Sequence, residues 1–132
     1  MFILTYRKVT LSDNFLRIAR KEIQEELEGL HKILSSCSND NDISNNGNSI
    51  EKHLHKIKGL APMMGQNDVG EIAKMTDTIL KHIITKGTLV GIYHILVESN
   101  YVMKEIFNGT SALNVSEFKN KLQQTFPDLL GH

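Results

Sequence analysis

The chain contains no tryptophan, one cysteine and two prolines among its 132 residues. Because Cys37 is the single cysteine, an intrachain disulfide is excluded, which is typical of proteins in a reducing compartment. No apolar run approaches the roughly 18 residues that a membrane-spanning helix needs, and the opening Met-Phe-Ile-Leu is too short for a signal peptide. We therefore expect a cytoplasmic protein that neither enters nor binds a membrane.

The chain also lacks an excess of charge of either sign. Fifteen Lys and Arg balance 15 Asp and Glu, and the two signs are interspersed along the sequence. Such a balance leaves no basic surface for nucleic acid or an anionic membrane, so neither is expected as a partner. The pattern Gly-x-x-x-x-Gly-Lys-Ser/Thr and other ATP-binding signatures do not occur either, and we do not expect the chain to phosphorylate itself.

What the sequence does contain is helical periodicity. Hydrophobic residues make up 40% of the chain and recur at steps of three and four residues in four long segments, the pattern of amphipathic helices. A further short helix is expected from Asn114, which resembles a capping box with Glu117, up to Pro127. The expected starts of the four long helices, at residues that can cap a helix, are Ser12 or Asp13, Asn48 or Ser49, Asn67 and Thr88.

Short links between the later segments favour antiparallel packing. With a length that suits one hydrophobic core, this predicts a single domain over residues 1–132. Its expected fold is all-α, an antiparallel up-and-down four-helix bundle over about residues 12–109 with an additional short terminal helix.

Residues 35–48 are almost entirely Ser, Asn, Asp and Gly, and we expect them to form a flexible loop. An EF-hand is not expected there, because the closing glutamate and the central glycine of a calcium loop are not in register.

The second helix carries the most informative residues. A helical wheel places Ile50, Leu54 and Ile57 on one apolar stripe, with His55 roughly 140° and Gly59 about 180° away from it. Both therefore face solvent. A glycine inside a helix costs about 1 kcal/mol relative to alanine, which suggests that a missing side chain beside the imidazole is useful. Lys58, three residues from His55, can bring a positive charge to an anion on the ring.

The order His55-x-x-Lys58-Gly59, with Gly65 ten residues after the histidine, resembles the histidine phosphotransfer (HPt) domain. The likeness is greatest to the N-terminal phosphotransfer domain of chemotaxis-type histidine kinases, and in helix order it covers roughly residues 15–109. The resemblance implies that His55 accepts a phosphoryl group and exchanges it with a response-regulator receiver domain or a histidine kinase. No cofactor of the chain's own is implied, and magnesium would come from the partner.

The resemblance also implies roles for other residues. Counting without gaps from Gly65, the carboxylate that orients the family's histidine falls on Asp77, although an ordinary surface acid is a comparable alternative. A partner is expected to dock on the exposed face around His55, whose other residues are Glu51, Lys52, Gly59, Pro62 and Met63. Pro62 departs from the pattern, because a proline within a helix removes a hydrogen bond and either bends or breaks the helix.

Other interpretations remain open from the sequence. The chain could be a helical binding module that docks a receiver domain or dimerises without carrying phosphate, and His55 could be a plain surface histidine or the base of a hydrolase. Metal binding is not expected, because His53 and His55 are two residues apart and point in different directions on a helix. His53 is expected to pack at the margin of the core.

Overall fold

The computed structural model describes the backbone of residues 2–110 and 114–131 and, within these ranges, the side chains from residue 13 onward. All regular elements in this part of the chain are helical, as expected. The α-helices are α1 (Phe2–Ser35), α2 (Asp40–Asn45), α3 (Gly47–Leu60), α4 (Asn67–Lys86), α5 (Ile92–Phe107), α6 (Val115–Thr125) and α7 (Pro127–Leu130). Among the described residues, no helix is both long and apolar enough to cross a bilayer.

Four long helices form the bundle. α1 packs against α3 and α5, and α4 packs against the same two helices, so each has two neighbours. Short connections reverse the chain between α3, α4 and α5, which confirms the antiparallel up-and-down arrangement. The largest fully buried side chains are Ile23, Leu30, Ile43, Ile50, Leu54, Ile57, Ile72, Ile79, Leu80, Ile83, Ile92 and Leu96. All of these except Ile43 belong to the apolar repeats that predict the helices.

The first helix is longer than expected. It runs without a break from Phe2 to Ser35, so the prediction that Ser12 or Asp13 caps its start is wrong. A residue that can cap a helix costs only a few tenths of a kcal/mol when it lies inside one, and the helix-forming residues on both sides outweigh it.

The end of the chain also differs in detail. The expected cap is present, since the backbone N–H of Glu117 donates to Oδ1 of Asn114 at 2.9 Å and α6 follows. Pro127, however, begins the further helix α7 instead of ending the helical structure. Proline suits the first position of a helix, where its missing N–H has no intrahelical partner to lose. Two short terminal helices therefore follow the bundle, where one was expected.

The segment expected to be a flexible loop, residues 35–48, contains α2 and the start of α3. Asn39 caps α2, because its Oδ1 accepts the N–H of Asp42 at 2.9 Å. Ile43 is completely buried in the core and holds the helix against the bundle. Two of the polar residues that suggested a loop, Asn39 and Asp40, serve as helix caps, and Ile43 is the buried residue of this six-residue helix.

Asp40 links α2 to the start of α5, some fifty residues later in the chain. Its Oδ1 accepts the N–H of Tyr93 at 2.8 Å, and its Oδ2 accepts the N–H of Gly91 at 3.0 Å. The Thr88 hydroxyl also donates to the Asp40 carbonyl at 3.0 Å. α5 has no side-chain cap from its own N-cap residue, Gly91, so Asp40 supplies the cap from another helix. This explains why α5 begins at Ile92 and not at Thr88.

Pro62 breaks the motif helix and does not merely bend it. α3 ends at Leu60, the 3₁₀ turn Pro62–Met64 follows, and Gly65 adopts a left-handed conformation with φ 76°. The turn packs closely on α4, since a Cβ on Gly70 would lie 2.9 Å from Cγ of Pro62. The break therefore returns the chain along α3 and brings α4 beside His55.

Replacing Asp40 by alanine is expected to lower the free energy of unfolding by about 1–2 kcal/mol, because two N–H groups at the start of α5 lose their acceptor. Asp40→Asn should lose less, since its amide oxygen can still accept one of them. Urea denaturation followed by circular dichroism measures both changes. Glu22→Ala removes an exposed carboxylate from α1 and serves as the control; a loss in Asp40→Ala no larger than in this control would contradict the capping role.

Candidate functional site

His55 lies on the solvent-facing side of α3, and its side chain is 61% exposed. Its Nδ1 atom faces two carboxyl groups, with Oε2 of Glu51 at 3.8 Å and Oδ2 of Asp77 at 3.9 Å. These distances are longer than hydrogen bonds but short enough for electrostatic attraction. Nδ1 is the ring nitrogen that approaches both carboxyl groups, and most of the imidazole is open to solvent.

Asp77 is the buried acid of the site, with 1% of its surface exposed. Its Oδ2 atom accepts a hydrogen bond from Nζ of Lys58 at 3.0 Å and lies 3.1 Å from Nζ of Lys81. A buried carboxylate is costly unless it is paired, and here two lysines provide the compensating charge. The alternative that Asp77 is an ordinary surface acid is therefore wrong.

The carboxyl groups of Glu51 and Asp77 approach within hydrogen-bonding range. The hydrogen bond to Asp77 is the main reason that the pKa of Glu51 is raised, and burial and the Asp77 charge add to it. Burial alone would raise the pKa of Asp77, but its hydrogen bonds with Glu51, Lys58 and Lys81 outweigh burial, and the pKa is lowered. Asp77 thus holds the negative charge, while Glu51 takes up a proton more readily than an ordinary glutamate.

With both carboxyls ionised, neither can donate a hydrogen bond to the other. Oδ1 of Asp77 is then buried without a hydrogen-bond partner among the described residues. The site therefore has an acceptor that a proton or another positive group can satisfy.

Lys81 belongs to the site although the sequence reasoning missed it. It lies one helical turn after Asp77 on α4, and both the hydrogen bond to Asp77 and the charge of that residue raise its pKa. The spacing of four residues between an acid and a lysine was visible in the sequence and is a common pairing on helices. Without knowing that Asp77 is buried, however, this pair could not be told apart from any other on the helix surface.

Gly59 leaves open space one turn after His55. It is exposed, and a Cβ built at this position would meet no atom within 4 Å. Two other glycines differ, because a Cβ on Gly29 would lie 2.6 Å from Cε1 of His53 and one on Gly70 would crowd Pro62. Packing therefore requires glycine at positions 29 and 70 but not at 59. Glycine at position 65, the second glycine of the motif, is explained by the backbone, because its φ of 76° lies in the left-handed region that favours glycine.

The residues expected to contact a partner fall into two groups. Lys52, Pro62 and Met63 are exposed, and Met63 is 60% accessible. Glu51 is instead mostly covered, with 19% of its side chain exposed. It lies between His55 and Asp77 and is part of the charged cluster itself.

His53 lies apart from this cluster. Its Nδ1 is 2.6 Å from Oε1 of Glu26, and its ring rests over Gly29 on α1. Glu26 is also 3.5 Å from Nζ of Lys56. His53 is half-buried and holds α3 to α1, which agrees with its expected place at the margin of the core. The two histidines of α3 therefore have separate partners and separate surroundings.

Glu51, His55, Lys58, Asp77 and Lys81 thus form one cluster on the α3 and α4 surface, which we call the His55 cluster. It combines an exposed imidazole, a buried carboxylate and two lysines. The chain matches no protein-family model, no curated protein and no solved structure in comparisons with all three.

Proposed function

We propose that the chain is a histidine phosphotransfer domain of a two-component phosphorelay. His55 accepts a phosphoryl group and exchanges it with the aspartate of a receiver domain or with a histidine kinase. The observation that supports this most directly is the orientation of His55. Nδ1 lies near two carboxyl groups, and the side chain is exposed next to the open position of Gly59, so in this proposal Nε2 is the nitrogen presented to a partner.

The carboxyl groups favour the tautomer with the proton on Nδ1, because a partial positive charge at that nitrogen is attracted to them. The lone pair is then on Nε2. In transfer from a receiver, this lone pair attacks the phosphorus of an aspartyl phosphate. The N–P bond forms as the P–O bond to the receiver aspartate breaks, and the freed carboxylate keeps the electron pair. The reverse reaction follows the same path.

Asp77 and Glu51 assist this step through charge. When Nε2 bonds to phosphorus while Nδ1 keeps its proton, the ring becomes positively charged. The negative charge of Asp77, 3.9 Å from Nδ1, stabilises that product and the transition state leading to it. Burial of Asp77 strengthens the effect, because water screens a buried charge poorly.

The lysines interact with the negative charge of the phosphoryl group. A phosphoryl group carries negative oxygens, and Lys58 follows His55 by one turn on the same helix. Its side chain is 30% exposed while it bonds to Asp77, so its ammonium group can attract the incoming phosphoryl from the edge of the site. Phosphoryl transfer also needs in-line geometry and usually magnesium, which in this proposal the acidic pocket of the partner supplies.

His55→Gln is expected to abolish phosphorylation and keep the fold, because the position is exposed and glutamine is a good helix former. The measurement is incubation with a phosphorylated receiver protein, followed by assay of acid-labile, alkali-stable phosphate on the chain. His53→Gln is the matched control on the same helix and should be labelled like the wild type. Phosphate retained on His55→Gln, or lost only in His53→Gln, would contradict the assignment of His55.

Gly59→Gln is expected to block transfer while raising stability by up to about 1 kcal/mol, because glutamine is the better helix residue and its Cβ has open space at this position. The block arises because the new side chain occupies the space through which a partner reaches His55. Thermal unfolding and a labelling time course are run on the same preparations. The exposed Lys56→Gln on α3 is the control and should transfer normally, whereas a wild-type rate in Gly59→Gln would remove the access argument.

Lys58→Ala is expected to slow labelling several-fold without stopping it, since a partly exposed ion pair is worth only about 1 kcal/mol. Initial rates at several receiver concentrations separate weaker docking from slower transfer. Lys81→Ala is the informative comparison, because Lys81 bonds to the same oxygen of Asp77 from the other helix. If Lys58→Ala labels at the wild-type rate, Lys58 has no role in the chemistry.

A further inference from the structure

Three residues of the His55 cluster are arranged as ligands for a metal ion. One oxygen of Glu51, one ring nitrogen of His55 and one oxygen of Asp77 all lie within 4.8 Å of one another. The measured separations from Nδ1 are 3.8 Å to Glu51 and 3.9 Å to Asp77. A tetrahedral ion with ligand bonds of 2.0–2.2 Å places its ligands about 3.4 Å apart. Side-chain movements of about half an ångström would close the difference for these two pairs, and the Glu51 and Asp77 oxygens lie within 4.8 Å of each other.

An independent observation is the state of Asp77. This side chain is almost fully buried, and its Oδ1 atom has no hydrogen-bond partner among the described residues. A carboxyl oxygen of Glu51 lies within 4.8 Å of one of Asp77, and when both groups are ionised neither can donate a hydrogen bond to the other. A buried, unsatisfied carboxylate oxygen beside a second carboxylate is a position that gains from a bound cation.

The donor set indicates which cation fits. One imidazole nitrogen with two carboxylate oxygens suits borderline ions such as Zn²⁺ and Co²⁺. Mg²⁺ and Ca²⁺ prefer oxygen ligands throughout and more of them. Three protein ligands would leave one position of a tetrahedral ion open to water or to an anion.

The two lysines oppose a cation and therefore limit its affinity. Both bond to Oδ2 of Asp77, but the side chains of Lys58 and Lys81 are 30% and 54% exposed, so their ammonium groups can move into water. Removing one of them should then strengthen metal binding, which an accidental surface site elsewhere on the chain would not do.

We propose that Glu51, His55 and Asp77, three residues of the His55 cluster, form a binding site for a divalent transition-metal ion such as Zn²⁺. The sequence did not suggest this, because the only histidine pair on α3 has the wrong spacing and the third ligand lies on another helix. A metal at Nδ1 replaces the proton there and excludes the tautomer used in phosphotransfer. That consequence rests on the proposed function, but metal binding itself does not.

The test uses Zn²⁺ and Co²⁺ alone with the tag-free chain and no phosphate donor. Isothermal titration with Zn²⁺ should give one equivalent bound, and Co²⁺ should develop the visible absorption of a low-coordinate site. Glu51→Gln and His55→Gln should each weaken Zn²⁺ binding tenfold or more, and Lys81→Ala should strengthen it several-fold. His53→Gln, which removes the other carboxylate-paired histidine, should bind like the wild type.

Glu51→Gln tests the site without altering the buried Asp77. Folding should be kept, because Glu51 is partly exposed and the new amide can still bond to Asp77. Wild-type Zn²⁺ affinity in both Glu51→Gln and His55→Gln overturns the proposal, and so does a loss confined to His53→Gln or no binding to the wild type. A chain that binds Zn²⁺ here but accepts no phosphate would refute the proposed function and leave the metal site standing. The opposite result would refute only the metal site.

Discussion

The buried charge of Asp77 is the constraint on which the arrangement of the site depends. Moving a carboxylate out of water costs several kcal/mol unless positive groups accompany it. Lys58 reaches this carboxylate from α3, while Lys81 reaches the same oxygen from one turn along α4, so the Lys58 bond ties the two helices together at this point. His55 then has an ionised but lysine-paired carboxylate near Nδ1, at a distance longer than a hydrogen bond. The other oxygen of Asp77 has no hydrogen-bond partner among the described residues, so it is an acceptor that a proton or a cation could satisfy.

Three glycines near the site are required by the fold, and a fourth, Gly59, is not. Gly29 and Gly70 are needed because neighbouring rings lie where a side chain would be, and Gly65 is needed for its positive φ. Gly59 meets none of these requirements, and yet it lies inside a helix, where glycine is unfavourable. A residue that costs stability and serves no contact of the fold is most simply explained by something that approaches from outside. Met63 adds an exposed apolar side chain to the surface at the 3₁₀ turn.

The sequence predicted the bundle well, because its buried stripes repeat over many residues and each repeat supports the others. It failed at α2, because the composition of this segment predicts a loop. The structure has a helix of six residues there, with Ile43 buried in the core. Within the site, the solvent-facing position of His55 followed from the helical wheel alone. The burial of Asp77 and the participation of Lys81 did not, because they depend on how closely α3 and α4 pack, which no local pattern records.

The bond between Asp40 and the start of α5 has a consequence for motion in the native state. The amide groups of Gly91 and Tyr93 are covered only while α2 stays docked, since their acceptor is on that helix. Local opening of α2 would expose these two amides to solvent without unfolding the rest of α5. Their hydrogen exchange therefore reports the docking equilibrium of a six-residue helix that lies almost fifty residues earlier in the chain.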